Sequence, residues 1–327
     1  MTAFLKGWIE VRGQKVLPKE AISRFQGNPL AASDFGGEFC LCVDDCTARD
    51  YLGIIPGDTP PGEIVCAGEV IGKVDPCLTP VDLDTAICEA VRLRSDMGVV
   101  ALSGGVDSAL VAALAELPCV SVGMAGSHDL KMADKAARNL GLDCTLTTIE
   151  TGEIEGALRA VITTIPRITP LDVAIATTQY FITRSAMEQG HTRVLTGQGA
   201  DELFAGYARY LSVEDVNIQL AMDFSSLRLQ GDRDQSVAAL HRVLLSMPYL
   251  DLRVVRVAEA LPAHRKVTGN LRKIALREVA ARHLPIELAM ADKKAMQYGS
   301  GVWKAIQRLA KRSGFKGVGE YLAAISR

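Results

Sequence analysis

The sequence has no uncharged apolar run of the ~18 residues that a membrane helix needs. Its first residues, MTAFLKGWIEVRG, lack the apolar core of a secretion signal. Membrane insertion is therefore excluded as an expectation, and a cytoplasmic location is expected. A charge excess is missing too: 36 Lys and Arg face 38 Asp and Glu, for a net charge of −2. Nothing global draws the chain to nucleic acid or anionic lipid. No internal repeat or low-complexity tract is visible. The eight cysteines contain no CxxC pair. They are spread through a chain too long for a disulfide-framed miniprotein. Cys40, Cys42 and Cys46 lack the nearby histidine or second pair that a zinc site needs. Alternation along a strand puts Cys40 and Cys42 on one face, where packing is the expected role, and Cys119 reads as core.

What is present describes a globular protein, with 48% hydrophobic and 23% charged residues over 327 positions. Residues 1–82 read as a small β-rich segment. Two strands flank a Gly13-centred turn between Phe4 and Val16. Others are expected at Glu38–Val43, Glu63–Ala67 and Glu69–Val74. So small a unit is expected to pack against the rest. From Asp82 the texture changes to strands alternating with helices, which predicts α/β architecture with a parallel sheet flanked by helices. Beyond Tyr210 the pattern reads as helical to the end. Asn270–His283 is expected as one amphipathic helix with Leu271, Ile274, Ala275 and Val279 inward, and 292–301 as an exposed loop. The basic residues between Arg253 and Arg282 alternate with apolar ones at helical spacing, so a solvated helix face is expected there rather than an RNA surface.

The chain is organised around GVVALSGGVDSALVAAL, residues 98–114. A buried strand runs into Ser103-Gly104-Gly105-Val106-Asp107-Ser108, and an apolar helix follows from about Ser108. Glycines allow close backbone approach, and the first amides of a helix have no internal acceptor, so this corner can cradle an anion. Asp107 would repel a phosphate directly, which suits it to holding a cation such as Mg²⁺. Two more strand ends, Gly123–Asp129 and Thr196–Glu202, should open on the same crevice, because ligands of such sheets sit at the carboxyl ends of strands.

These residues resemble the synthetase half of the asparagine synthetase family, within the wider class carrying an SGGxDS loop and releasing pyrophosphate. Ser103–Ser108 matches the pyrophosphate loop, and VSVGMAGSHD at Val120–Asp129 resembles the adenosine-contacting strand and loop. TGQGADELFAGY at Thr196–Tyr207 resembles the GxGxDExFxGY signature, and Leu271–Leu284 followed by Lys294 the C-terminal LRK…LRE…LP…K run. The likeness covers roughly residues 83–310. It implies a Rossmann-like adenine nucleotide α-hydrolase fold for 83–327, with a helical C-terminal part. It implies ATP held by Ala101, Leu102, Ser103, Gly104, Gly105, Asp107, Ser108, Val122, Thr196 and Gly197. It further implies Mg²⁺ on Asp107 and Asp201, and Lys294 neutralising the phosphates as a carboxylate attacks the α-phosphorus. Asp201 and Gln198 complete the implied catalytic set. The implied reaction is formation of an amide from a carboxylic acid, ATP and ammonia, with aspartate as the default acid.

Two departures bear on this. The family's glutamine-using members carry an N-terminal cysteine nucleophile where this sequence has Thr2. Yet Phe35–Phe39 and Ala48–Ile54 resemble pieces of that glutaminase domain, so 1–82 reads as a shortened, degenerate relic without glutaminase activity. Nitrogen is then expected from free ammonia or a separate ammonia-supplying subunit. The family's glutamate in GEG(S/A)DE is Gln198 here, and a carboxamide can orient an amine but cannot take its proton. Glu202 is a possible substitute base, although its position on the helix turns it away from Asp201. A different acid or product, and a nucleotide-binding regulatory subunit without turnover, are the alternative readings.

Overall fold

The computed structural model describes residues 3–291 and 296–326. Six antiparallel strands form the N-terminal sheet: β1 Ala3–Val11, β2 Gln14–Val16, β3 Gly36–Val43, β4 Cys46–Arg49, β5 Glu63–Cys66 and β6 Glu69–Lys73, in the order β2-β1-β3-β4-β5-β6. Helix α1, Pro18–Gly27, covers one face and buries Ala21 and Phe25 against Ile9, Phe39, Leu41 and Ile64. This helix and the 3₁₀ turn Pro29–Asp34 correct the expectation of purely β-like structure before residue 80. Pro18 at the helix start fixes the backbone angle and removes an amide that has no acceptor there. Cys46 and Cys66 face each other across β4 and β5 and form a disulfide, a pairing that their spacing did not announce.

The second sheet is parallel throughout, with β7 Val99–Ala101, β8 Cys119–Met124, β9 Cys144–Ile149, β10 Arg193–Leu195 and β11 Leu244–Ser246 in the order β11-β10-β7-β8-β9. Helices α2 Leu83–Arg92, α3 Val106–Ala115, α4 His128–Leu140, α5 Ile154–Ile162 and α6 Pro170–Glu188 lie between or beside these strands. Asp82 starts α2 by accepting from the Thr85 amide at 2.8 Å, and Thr169 starts α6 by accepting from Asp172. Val99, Val100, Val120, Val194 and Leu195 are fully buried, as strands covered on both faces must be. Strand order reverses at β7: β8 and β9 extend one side, β10 and β11 the other. The topological switch therefore falls between β7 and β10, and the crevice belongs outside their carboxyl ends.

Past Tyr210 the structure is not helical throughout. Helix α7, Ala200–Phe204, precedes this stretch, in which helices α8 Val216–Ser225, α9 Leu227–Ala239, α10 Leu252–Ala260 and α11 Ile274–His283 are interrupted by β11 and by a hairpin of Val267–Thr268 with Leu271–Arg272. The expected Asn270–His283 helix thus begins at Ile274, and Leu271 is 61% exposed rather than inward. The run around Leu244 is apolar in both a strand and a helix, so periodicity could not separate them. Among the described residues, no helix is long and apolar enough to cross a membrane.

The two sheets meet through a buried ion network. Arg94, just past α2, donates to Glu38 of β3 at 2.8 Å, to Asp251 at 2.9 Å and to the Ala90 carbonyl at 2.8 Å. Glu38 also accepts from the Met247 amide at 2.8 Å, from Trp8 Nε1 at 3.1 Å and from Ser246 Oγ. Burial opposes ionisation of Glu38 and Asp251 most strongly of any single effect. Arg94 together with Ser246 and Met247 at Glu38, and with Arg253 at Asp251, outweighs it, so both carboxyls are held below their usual range. A carboxyl so depressed stabilises the fold fully above its unfolded-state value near pH 4 and loses that stabilisation as pH falls through the folded-state value. Arg94→Met should destabilise the protein by about 3–5 kcal/mol at pH 7, because it leaves buried carboxylates without their cation. Urea midpoints measured from pH 7 to pH 3 check this: the variant should start lower and fall less steeply below about pH 4 than the parent protein.

Candidate active site

The loop after β7 folds back onto the first turn of α3. Gly105 is the N-cap, so the helix starts at Val106, two residues before the expected Ser108. The Ser103 amide donates to Ser108 Oγ at 3.1 Å, the two hydroxyls lie 3.1 Å apart, and Ser108 Oγ donates to the Gly105 carbonyl at 3.2 Å. Gly104 has φ +78°, and a Cβ there would sit 2.5 Å from the Met132 carbonyl carbon of α4. Only glycine serves that position.

The turn after β10 rests on the same corner. A Cβ on Gly197 would meet Asp107 Cβ at 2.9 Å and the Ser108 amide at 3.1 Å. The loops at Ser103–Ser108 and Thr196–Asp201 therefore form adjoining walls of one crevice at the topological switch. Leu102, Val122 and Thr196 are buried behind it, and Ala101 and Gly197 are half-buried at its edge. The third strand end is closed over by the chain's C-terminal part: the Met124 amide donates to the Ser300 carbonyl at 2.8 Å, and Gly299 packs directly on Asp129. Met296–Gly299 is a helical turn and Ser300 is fully buried, which corrects the expectation of an exposed loop for that part of 292–301. Lys294 and Thr2 lie outside the described residues.

At the floor of the crevice a lysine stands between the two acids matched to a metal. Lys273 Nζ lies 2.6 Å from both oxygens of Asp107 and 2.6 Å from Asp201 Oδ1. The lysine is 2% exposed. Its backbone is left-handed, with φ +59° and ψ +37°, at the joint between the hairpin and α11. That joint turns the side chain toward α3 and α7. Gly206 makes room, since a Cβ there would sit 2.2 Å from Lys273 Cε and would overlap Asp201. The Tyr249 hydroxyl adds a 3.0 Å bond to the Asp107 carbonyl. Helical periodicity had placed Lys273 inside a helix, and its lone charge gave no sign of burial. The K-x-x-L-R spacing ahead of Arg277 was the available signal. The basic segment from Arg253 to Arg282 is solvated only in part, with Arg256, Arg265 and Arg282 exposed. Arg253 is tied to Glu10 and Asp251, and Lys266 and Lys273 are buried.

Whether the site suits Mg²⁺ can be tested on its donors. Asp107 and Asp201 offer hard carboxylate oxygens already gathered around one positive charge, which is the chemistry a small divalent cation requires. The donor set fits.

Gln198 occupies the opposite end of the crevice's β10 wall. Its Oε1 accepts from Thr196 Oγ1 at 3.0 Å, and its Nε2 donates to Asp234 Oδ2. Asp234, fully buried, is gripped by Arg233 at 2.7 and 3.0 Å, and Arg233 also reaches Asp172 at 2.9 Å. Glu202 is turned elsewhere, accepting from Tyr207 at 2.5 Å and Gln230 at 3.4 Å. Asp234 and Lys273 are the site residues that sequence reasoning missed.

The family model described as Asparagine synthase matches residues 82–235 and 225–316. The chain belongs to the asparagine synthase family. A putative glutamine-hydrolyzing asparagine synthetase of Methanocaldococcus jannaschii is 31% identical over 75% of this chain and 53% of its own length. Asparagine synthetase B of Escherichia coli is 28% identical over 84% of this chain and 63% of its own. The carboxyethyl-arginine beta-lactam-synthase of Streptomyces clavuligerus is 27% identical over 69% and 45%. The chain thus spans about half the length of the curated relatives it matches.

Within an asparagine synthase fold, the Asp107–Lys273–Asp201 cluster sets an expectation for the ligand-free protein. Lys273→Met should lower its stability by about 3–5 kcal/mol, because buried Asp107 and half-buried Asp201 lose their shared cation. Mg²⁺ should restore part of the loss in that variant. Thermal melts of parent and variant across a Mg²⁺ titration measure both effects.

Proposed function

We propose that this member of the asparagine synthase family is an ATP-dependent carbon–nitrogen ligase that activates a carboxylic acid as its acyl-adenylate and completes an amide with ammonia. The observation that carries the reading is the convergence of Asp107 and Asp201, from the loops on either side of the topological switch, on one cation position beside the SGGVDS corner. The phosphates of ATP face the amides and hydroxyls of Ser103, Gly104, Gly105 and Ser108, with Ala101, Leu102, Val122, Thr196 and Gly197 around the adenosine. The substrate carboxylate attacks the α-phosphorus, and the bond to pyrophosphate breaks. Asp107 and Asp201 would hold Mg²⁺, which neutralises the departing pyrophosphate.

Charge at the site supports this order of events. Two carboxylates and the Lys273 ammonium sum to −1, which disfavours a polyphosphate. A divalent cation brings the sum to +1, which attracts one. ATP therefore binds with its metal or weakly. Lys294, placed by its match to the family motif, supplies a further positive charge as pyrophosphate forms.

The nitrogen source in this reading is ammonia. Burial pushes the Cys40 and Cys88 thiols up, and pushes Cys144 to about 11 and Cys119 to about 12. Cys46 and Cys66 are joined in a disulfide. Neither the raised thiols nor the disulfide has the lowered pKa of an activated thiolate, and Thr2 stands where the family's glutamine-using members carry their cysteine nucleophile. A separate subunit supplying ammonia is compatible with the same site.

Aspartate is the default acid, but Gln198 favours a second reading in which another acid is activated. A glutamine held by Thr196 and Asp234 orients a nucleophile without deprotonating it. The name of the Streptomyces relative already puts a different acyl chemistry in a similar chain.

Pyrophosphate release from Mg²⁺-ATP, measured with aspartate and a panel of other carboxylic acids, with ammonium or glutamine as nitrogen donor, tests the proposal. Release should require one acid, and product formation should require ammonium. Asp107→Asn should lower the rate at least ~100-fold, since charge stabilisation at a leaving group is worth several kcal/mol. A folded protein that releases no pyrophosphate with any acid would be a nucleotide-binding regulatory subunit, and the ligase reading would fail.

A further inference from the structure

Away from the crevice, α2 and the far end of α11 bring an aspartate, a cysteine and a histidine together. Asp84 and Cys88 are one turn apart on α2, and His283 is the last residue of α11. His283 Nε2 lies 2.6 Å from Asp84 Oδ1 and 3.8 Å from Cys88 Sγ, and Cys88 Sγ lies 3.7 Å from Asp84 Oδ1. We propose that these three side chains form a zinc site that ties α2 to α11.

The triangle of donor atoms nearly matches one face of a zinc tetrahedron. With Zn–S near 2.3 Å and Zn–N and Zn–O near 2.0 Å, tetrahedral ligands stand about 3.5 Å apart on edges that include sulfur and about 3.3 Å apart on the nitrogen–oxygen edge. The two sulfur edges already lie within a few tenths of an ångström of that. Only the His283–Asp84 edge has to open, by less than about 1 Å, a shift well within carboxylate rotation. The ligand types are those zinc selects, and a water completes the tetrahedron on the solvent side, where all three residues are half-buried rather than sealed. Arg282 Nη1 holds the other oxygen of Asp84 at 3.0 Å, an orienting contact of the kind metal-bound carboxylates carry. As the Zn–S bond forms, the Cys88 thiol releases its proton to water.

A hydrolytic triad would need the histidine to touch acid and thiol through different ring nitrogens. Here one nitrogen, Nε2, faces both, so no proton relay runs from Cys88 through His283 to Asp84. Convergence of all three donors on one point is what a metal uses.

The site has a structural consequence. Helix α11 spans about 15 Å, with Lys273 at its start and His283 at its end. A zinc ion at Asp84, Cys88 and His283 fixes the far end of the element that carries Lys273 to Asp107 and Asp201.

Cobalt(II) is the probe, added to the full-length, metal-stripped protein. The parent protein should bind one equivalent with a thiolate-to-cobalt charge-transfer band and tetrahedral d–d absorption, and zinc should displace it. Cys88→Ser should abolish the charge-transfer band, and His283→Gln should weaken binding at least ~100-fold. Zinc should raise the melting temperature of the parent protein but not of Cys88→Ser. Circular dichroism identifies any variant that fails to fold, and Arg282→Ala, which removes no ligand, gives a second, milder weakening of about 10-fold. Absence of a thiolate band in the parent protein, or an unchanged band in Cys88→Ser, overturns the site.

Discussion

One ammonium between two carboxylates organises the parallel-sheet part of this protein. Lys273 meets Asp107 at the start of α3 and Asp201 at the start of α7, so it joins three segments widely separated in the chain. Each segment is shaped to permit it. The backbone turns left-handed at Lys273, Gly206 leaves no side chain where the lysine stem passes, and Gly197 lets the β10 turn settle on α3. Two carboxylates gathered on one point repel each other, and a cation between them offsets that repulsion. The lysine supplies that cation within the folded chain itself.

A second buried ion network does for the architecture what Lys273 does for the site. Glu38, Arg94 and Asp251 connect the N-terminal sheet to the parallel one, and the Ser246 and Met247 contacts of Glu38 fix the end of β11. The Thr196 amide in turn donates to the Ser246 carbonyl at 3.0 Å, so the turn carrying Gln198 is registered against a strand end that the N-terminal sheet holds. The small lobe is therefore mechanically continuous with the β10 wall of the crevice.

How legible each part was depends on whether its signal is local. The β7–loop–α3 corner shows in sequence because strand, glycines, hydroxyls and helix follow one another without interruption, and the structure differs only by starting the helix two residues earlier, at Val106. The parallel sheet shows because helices long enough for crossovers separate its strands. Its order does not show, since pairing of β10 beside β7 is a tertiary fact. Helix α1 was hidden by its short, polar sequence between strands. Lys273 was hidden for a different reason. In NLRKIALREVAARH the apolar spacing continues through the lysine, and only a left-handed residue, which periodicity cannot see, breaks the helix there. The Cys46–Cys66 bridge was equally invisible, because it depends on the β4–β5 register and not on spacing.

The division of labour within the crevice follows from where the charges end. The α3 and α7 side carries Asp107, Asp201 and Lys273, all full charges, and suits the handling of phosphates. The β10 side presents a carboxamide whose two ends are committed to Thr196 and Asp234. Behind it, Asp234, Arg233 and Asp172 form a buried chain in which each carboxylate has a guanidinium partner. A glutamate in place of Gln198 would set a second negative charge against Asp234, and a low-dielectric site resists that strongly. Gln198 and the Asp234 network are therefore mutually consistent, and the carboxamide is a settled feature of this wall rather than a defect in it. The wall facing the charged side is thus a neutral, hydrogen-bonding surface, fixed in orientation by Thr196 and Asp234.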